Sequence, residues 1–284
     1  MNNPTAIILA EQQLESELSS IFGSREMASL IIAGTTLIEH VLSELRDLKF
    51  SQCIVLASKN AYEIYEIVNR SKHWGMKVEV MNYSLSKEEV LREFKSLSAP
   101  NGLLVIEADR LRSHCVTQFL DKCNQSDYLL YEAMSSSESL GLTYLKPSNA
   151  DFIINAKGIE MPGVMMNFLK SSRAFHRANM SVMKREFTGL ESSVLSHRVG
   201  AQLRHWSSEV DNRCNIDELD VMIDQKCRIE RNVLMKAVVL NRNVYVERNA
   251  SLKNTIVMPD AVVPANQIIR NAIVQDETVY QVFE

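Results

Sequence analysis

An aliphatic residue recurs at every sixth position through the C-terminal part of the chain, and this period constrains the fold more than any other feature. The positions are Ile223 and Ile229, then Leu240, Val246 and Leu252, and then Val257, Val263 and Ile269. Asn or Asp stands three places before several of them, at Asn243, Asn249, Asp260 and Asn266. These two residue types tolerate left-handed backbone better than other non-glycine residues. The pattern predicts a hexapeptide parallel β-helix of about three coils, each of roughly 18 residues; ordinary antiparallel strands are the alternative.

The N-terminal part alternates short apolar runs with helical patterns. Strands are predicted over 6–10, 53–57, 77–81 and 102–106, and helices over 37–48, 61–70 and 88–97. Thr36 and Glu39 have the spacing of a capping box at the start of the first of these helices. Strand and helix in alternation favour a mostly parallel α/β sheet with helices on both faces.

Composition excludes several classes of protein. The net charge of −4, from 31 basic and 35 acidic residues, provides no general attraction to nucleic acid. No apolar run approaches the ~18 residues of a membrane span, and the start, Met1-Asn2-Asn3-Pro4, lacks the basic segment of a signal peptide. The five cysteines are scattered without metal-ligand spacing, as expected for reduced thiols. We therefore expect a cytoplasmic protein with no nucleic-acid partner and no membrane span.

Several segments, in order, resemble the sugar nucleotidyltransferases, which join a sugar 1-phosphate to a nucleoside triphosphate. Residues 6–10 resemble the first strand of that family, 33–42 its "GKPLIEHVL" helix start, 74–79 its "WGVKIEY" turn, 104–109 its "FLVLNGD" strand and 253–258 its β-helix tail. The resemblance covers residues 5–110 and about 220–280. It implies a nucleotide-diphospho-sugar transferase-like, Rossmann-type α/β domain at 1–213 and a short left-handed parallel β-helix at 214–284.

The departures from the family concern its phosphate-binding and base-binding loops. The glycine-rich "AGKGTRL" loop is replaced by residues 11–17, which contain no glycine, and the later lysine of the family falls on Met27. Between residues 10 and 27 there are four acids, Glu11, Glu15, Glu17 and Glu26, and a single base. The base-reading "LGTAG" segment falls on residues 85–89, again without glycine. The chain as a whole has nine glycines, about half of the roughly 7% in average usage. Like charge in this loop would oppose the binding of a triphosphate.

Two carboxylates are candidate metal ligands by the same resemblance. Asp109 matches the aspartate that holds magnesium in the family, and Asp217 lies in a segment similar to the one that supplies a second metal carboxylate. Oxygen ligands of this kind suit Mg²⁺. The alternative is that Asp109 caps the next helix and that Asp217 is solvated. No catalytic residue is predicted, and the adjacent His114 and Cys115 are expected to be packed rather than to form a nucleophilic pair.

Three functions remain open at this point. The first is a catalytically inactive regulatory or assembly subunit in sugar-nucleotide or polysaccharide metabolism, which forms a homo-oligomer or hetero-oligomer through the β-helix. The second is an active nucleotidyltransferase of altered specificity that uses Asp109 and Asp217 with Mg²⁺. The third is a binding module that senses a sugar nucleotide. The missing glycine loops favour the first.

Overall fold

The computed structural model describes residues 3–10, 16–23, 25–58, 61–70, 74–98, 101–147, 156–190, 203–217 and 220–282. The fold is mixed α/β with parallel sheets. Two compact units form: the first contains Met1–Gln13, Arg25–Leu30 and Thr36–Phe168, and the second contains Leu14–Ser24, Ile31–Thr35 and Leu169–Glu284. The predicted domain division between residues 213 and 214 remains a prediction, and the compact units divide the chain at other places. No helix among the described residues is long and apolar enough to cross a membrane.

The elements run as follows in chain order. The described helices are α1 Ser16–Phe22, α2 Leu37–Asp47, α3 Ala61–Arg70, α4 Lys87–Glu93, α5 Val116–Asn124 and α6 Ser172–Met183. The strands of the first half are β1 Thr5–Leu9, β2 Ile31–Ile32, β3 Thr35–Thr36, β4 Gln52–Ala57, β5 Lys77–Asn82, β6 Leu103–Glu107, β7 Leu111–Arg112, β8 Leu130–Ser135, β9 Glu138–Leu145, β10 Lys157–Glu160 and β11 Met166–Asn167. Those of the second half are β12 Leu203–Arg204, β13 Glu209–Val210, β14 Asn215–Ile216, β15 Val221–Ile223, β16 Arg228–Ile229, β17 Leu234–Leu240, β18 Tyr245–Val246, β19 Ser251–Val257, β20 Val262–Val263, β21 Ile268–Gln275 and β22 Thr278–Gln281.

The first unit is built on a sheet with the strand order β10-β8-β9-β6-β1-β4-β5. Strand β1 pairs in parallel with both β4 and β6, so that Ile7 lies opposite Ile54 on one side and Val105 on the other. Strands β4 and β5 are also parallel, whereas β9 runs antiparallel to β6 and β8. The carboxyl ends of β1, β4, β5 and β6 therefore meet at one edge of the sheet.

Local sequence explains how helix α2 begins in this unit. The Thr36 hydroxyl accepts a hydrogen bond from the Glu39 N–H at 3.3 Å, and the Glu39 carboxylate accepts one from the Thr36 N–H at 2.9 Å. The predicted capping box is confirmed. It satisfies two amide groups that would otherwise lack partners in the first turn.

The second unit is dominated by parallel strands that repeat every 17 residues. Val221 pairs with Val238, Val238 with Thr255, and Thr255 with Ala272. A second parallel sheet, of β13, β16, β18 and β20, keeps the same spacing from Arg228 to Tyr245 to Val262. The predicted alternative of antiparallel strands is wrong for these ladders; β22 alone among their described partners pairs antiparallel, with β21.

The predicted inward aliphatic positions are confirmed, because all eight are buried at 4% exposure or less. The five-residue step is not a single slip, since it recurs from Met235 to Leu240 and from Ile269 to Val274, both pairs being buried. Each repeat is consequently two steps of six and one of five, rather than the predicted 18 residues. Left-handed residues mark the short step, at φ values of 52°, 51° and 48° for Ala237, Asn254 and Asn271.

Asparagine side chains stack at the turns of these repeats. Asn232 donates to Asn249 at 3.2 Å, and Asn249 donates to Asn266 at 3.0 Å. All three have a φ of 60–63°. The predicted role of Asn and Asp at left-handed turns is confirmed, and each turn is also tied to the next by its side chain.

The turn at Ala33 and Gly34 belongs to this second unit. Its two amides donate to buried side-chain oxygens, Ala33 to Asn179 of α6 at 2.8 Å and Gly34 to Asn241 at 3.1 Å. A Cβ on Gly34, whose φ is +82°, would lie 3.1 Å from the Asp224 carboxylate. This position therefore requires glycine for both its backbone conformation and the close approach.

Candidate functional site

A cleft of about 510 Å³ lies at the carboxyl edge of the first unit's sheet. It is lined by Leu9, by residues 84–89, and by Glu107 and Asp109. Leu9 ends β1 and Glu107 ends β6, and between these two neighbouring strands the order of the parallel strands reverses. Ligands of open α/β sheets bind at such a reversal, beyond the carboxyl ends of the strands. This cleft is therefore where the fold would place a functional site.

Asp109 is paired with the residue that follows it. Arg110 donates from Nε to Oδ1 of Asp109 at 2.6 Å and from Nη2 to Oδ2 at 3.1 Å. Its Nη2 also lies 3.4 Å from the Glu107 carboxylate, and its Nη1 donates to the Ser139 carbonyl at 2.9 Å. A two-pronged guanidinium–carboxylate pair of this kind is among the stronger charged contacts in proteins. Both carboxylate oxygens of Asp109 are thus already engaged.

The surroundings fix the Arg110 side chain in place. The guanidinium lies over the Phe168 ring, 5.3 Å from its centroid. Gly141 of β9 faces the same side chain, since a Cβ there would lie 3.1 Å from Arg110 Cδ and Nε. The absence of a side chain at Gly141 therefore gives the arginine room to reach Asp109.

Lys87, the other cation beside the cleft, is paired as well. Its Nζ lies 2.8 Å from Oε1 of Glu132, which also accepts a hydrogen bond from Ser139 at 2.7 Å. Burial alone would lower the pKa of Lys87, but the hydrogen bond and charge of Glu132, with Glu107 nearby, raise it. Burial raises the pKa of Glu107 despite the attraction of Arg110.

The local charge opposes an anionic ligand. Five acids stand at the cleft and beside it, against the two paired cations Lys87 and Arg110. The acids are Glu88, Glu89, Glu107, Asp109 and Glu132. A single pair of like charges at about 4 Å costs about 4 kcal/mol at an effective dielectric constant of about 20. A polyphosphate here would meet an excess of negative charge and no free cation among the described lining residues.

The residues around Asp109 do not fit Mg²⁺. The ion needs carboxylate oxygens with lone pairs to offer, and Arg110 occupies both oxygens of Asp109. Within the described ranges, no group of three His, Cys, Asp or Glu side chains could hold a metal ion. Asp217, the other predicted ligand, lies in the second unit, where its N–H donates to the Met235 carbonyl at 3.0 Å.

Asp109 does not act as a helix cap either. The next helix, α5, has its first amides bound by Glu44, which accepts from Cys115 N–H at 2.6 Å and Val116 N–H at 2.8 Å. Glu44 also pairs with the buried Arg112 at 2.7 Å. Burial opposes ionisation of Glu44, yet Arg112, His114 and these amides hold its pKa below the ordinary value. This buried pair, which joins residues far apart in the sequence, was not predicted.

The segment that replaces the family's phosphate loop is used for structural contacts where it is described. Glu26 is buried and accepts a hydrogen bond from the Ser58 N–H at 3.0 Å, and Met27 is 4% exposed in a 3₁₀ turn. Glu17 belongs to the second unit and accepts from the Ser172 N–H at 3.0 Å. Glu11 and Glu15 lie outside the described residues. At the position of the family's lysine, the chain therefore packs an apolar side chain into the interior.

The segment that replaces the base-reading loop begins a helix. Ser86 accepts from the Glu89 N–H at 3.3 Å, and Glu89 accepts from the Ser86 N–H at 2.7 Å, forming a capping box for α4. These contacts close the amide groups of the first turn with a carboxylate. The hydrogen bond from the Ser86 backbone lowers the pKa of Glu89, which keeps it charged beside the cleft.

The thiols have no features of nucleophiles. Burial raises the pKa of Cys115 to about 11 and those of Cys53, Cys123 and Cys227 to about 12. Burial also lowers the pKa of His114. A nucleophilic cysteine requires the opposite shift in its own pKa, so the expectation of packed rather than reactive side chains at 114 and 115 agrees with these shifts.

No family model matches this chain, and no curated protein matches its sequence.

Proposed function

We propose that the chain is a catalytically inactive relative of the sugar nucleotidyltransferases and acts as a regulatory or assembly subunit in sugar-nucleotide or polysaccharide metabolism. In this proposal the first unit carries a Rossmann-type sheet and the second a short left-handed parallel β-helix. The β-helix would contact further copies or a partner subunit.

The topology supports the fold proposed here. Counted along the chain, β1, β4, β5 and β6 lie in the spatial order 3-2-1-4, which is the first part of the doubly wound dinucleotide-binding order. In the second unit, a constant 17-residue offset across successive parallel strands is the expected signature of stacked coils.

The observation that carries the loss of activity is the pairing of Asp109 with Arg110. Nucleotidyl transfer to a sugar phosphate brings several negative charges together, and cations are needed to stabilise the leaving pyrophosphate. The guanidinium lies on the carboxylate that the family resemblance assigns to the metal, and Lys87 is paired with Glu132. Neither cation is available to phosphate without breaking a partly buried pair.

Thermal unfolding with added ligands tests the proposal. The purified chain is heated alone, with Mg²⁺ and each nucleoside triphosphate, and with a set of sugar nucleotides, while pyrophosphate release is followed in parallel. We expect no Mg²⁺-dependent rise in Tm with any triphosphate and no pyrophosphate above the no-enzyme background.

Two results would contradict this expectation. Pyrophosphate release that depends on a sugar 1-phosphate would establish an active transferase. A rise in Tm with a sugar nucleotide, without turnover, would establish a sensor instead of a subunit. An active nucleotidyltransferase assayed in the same plate controls for the reagents.

A further inference from the structure

Three cations stand in a single column on the outside of the second unit. Lys236 of β17 pairs with Lys253 of β19, and Lys253 pairs with Arg270 of β21, in the register of the parallel sheet. All three side chains are exposed, whereas the preceding residues, Met235, Leu252 and Ile269, are buried. Neighbouring strands lie about 4.8 Å apart, so the cations recur at that interval. We call these three residues the basic column.

The basic column has no neutralising partner within the described part of the chain. None of its members forms an ion pair with a described acid. Acids of the same repeats are used elsewhere: Glu230 accepts from the Arg248 N–H at 3.0 Å, and Glu247 accepts from the Ala265 N–H at 2.8 Å. Like charges directly opposite one another in a sheet destabilise it. An anionic ligand on this face would offset that repulsion.

A second column lies beside the first and is largely apolar. Side chains two residues apart on a strand point to the same side, so Leu234, Ser251 and Ile268 lie next to the basic column. Leu234 is 49% exposed and Ile268 is 67% exposed. A surface of cations flanked by exposed aliphatic groups matches the mixed apolar and charged character of protein interfaces. A phosphate backbone would leave the aliphatic groups without a complement.

Spacing indicates the form of the occupant. Acids one turn apart on an α-helix repeat at about 5.4 Å, close to the ~4.8 Å interval between strands. Acids on one side of an extended strand repeat at about 6.7 Å and lose register over three cations. A helix lying across the strands places one acid at each cation and an adjacent apolar stripe on Leu234 and Ile268.

We propose that the basic column, with Leu234 and Ile268, is a docking surface for an acidic amphipathic helix of a partner protein. This inference rests on the proposed subunit role and deepens it by naming the surface and the chemistry of the partner. A binding measurement without nucleotide or sugar phosphate keeps the two apart, because docking can fail while the chain still lacks transferase activity.

The test uses fluorescence anisotropy with the full chain and a labelled helical peptide of about 20 residues. The peptide carries Glu one turn apart on one stripe and Leu on the adjacent stripe; a scrambled peptide of equal composition and a 20-nucleotide oligothymidylate are the comparison probes. The variant K236Q/K253Q/R270Q removes the basic column. The matched control, R231Q/R242Q/R248Q, removes three exposed cations of the same repeats outside the column.

We expect saturable binding of the helical peptide that weakens about tenfold or more in the column variant and less than threefold in the control variant. Circular dichroism of both variants checks that they remain folded. No binding, equal weakening in both variants, or equal binding of the scrambled peptide would overturn the proposal. Tighter column-dependent binding of the oligothymidylate would overturn it in favour of a nucleic-acid ligand.

Discussion

The side-chain oxygen of Asn241 accepts a hydrogen bond at 3.1 Å from the backbone N–H of Gly34, a residue 207 positions earlier. Asn179 accepts one from the neighbouring Ala33 N–H at 2.8 Å, and both asparagines are fully buried. Buried amides of this kind are costly to leave without a partner. The turn that precedes helix α2 is therefore held by residues of the C-terminal half, and its sequence is constrained by them.

Replacing Gly34 with alanine is expected to destabilise the protein by about 2–3 kcal/mol. The new Cβ would lie 3.1 Å from the Asp224 carboxylate, at a φ of +82°. Gly23→Ala is the matched control, because Gly23 has a φ of +70° in the same unit but no atom within 4 Å of the added Cβ. That variant should lose only about 1 kcal/mol. Urea unfolding measures both, and equal losses would show that the contact with Asp224 is unimportant.

Replacing Arg110 with alanine is expected to cost about 3 kcal/mol, because it leaves a carboxylate without its charged partner. Asp109 is 8% exposed and Glu107 is also close to the guanidinium. Removing both partners, in R110A/D109A, should recover part of the loss. A double-mutant cycle in urea measures the coupling, and a coupling energy near zero would contradict the importance of this pair.

Stability is expected to fall in acid partly through Glu44. Its folded pKa lies below the ordinary value of 4.5 because, although burial opposes its charge, Arg112, His114 and backbone amides favour it. A carboxyl with a depressed folded pKa contributes stability above its unfolded pKa and loses that contribution as the pH falls through the folded value. Glu44→Gln removes this titration, so its unfolding free energy should change less between about pH 5 and pH 3 than that of the wild type. Parallel pH profiles of the two proteins would contradict this.

Thiol labelling is expected to be slow at all cysteines except Cys214. Burial raises the pKa values of Cys53, Cys123 and Cys227 to about 12 and that of Cys115 to about 11. Cys214 is half-buried, although its pKa is raised as well. An iodoacetamide time course followed by peptide mass analysis should show Cys214 modified first in the native protein. All five cysteines should react in concentrated urea, and early labelling of Cys115 would contradict the packing described above.

The repeat and the helix start were predictable because each depends on residues close together in the sequence. Aliphatic spacing placed Leu240 and Val246 in the interior, and the pair Thr36 and Glu39 identified the start of α2. The recurrence of the five-residue step was missed, since Met235 and Val274 had not been assigned to the pattern. Asparagine at the short step, as at Asn254, was the available signal.

The charge pairing in the candidate site could not be predicted in full. Arg110 follows Asp109 directly, and that adjacency was visible in the sequence. What directs the guanidinium is the Ser139 carbonyl and the space at Gly141, about 30 positions away. Contacts between residues so distant in sequence depend on how β6 and β9 are paired, which one chain without relatives does not reveal. The same holds for Glu44 and Arg112, which are 68 positions apart.

The 17-residue spacing between paired strands has a consequence for how this chain tolerates changes in length. Removing or adding a few residues inside the ladder would turn interior aliphatic groups toward solvent in every later strand. Removing the stretch 241–257, a whole period, would bring Leu240 directly before residue 258, which normally follows Val257, the strand partner of Leu240. The C-terminal part of the protein is thus built so that it can grow or shrink only in complete periods.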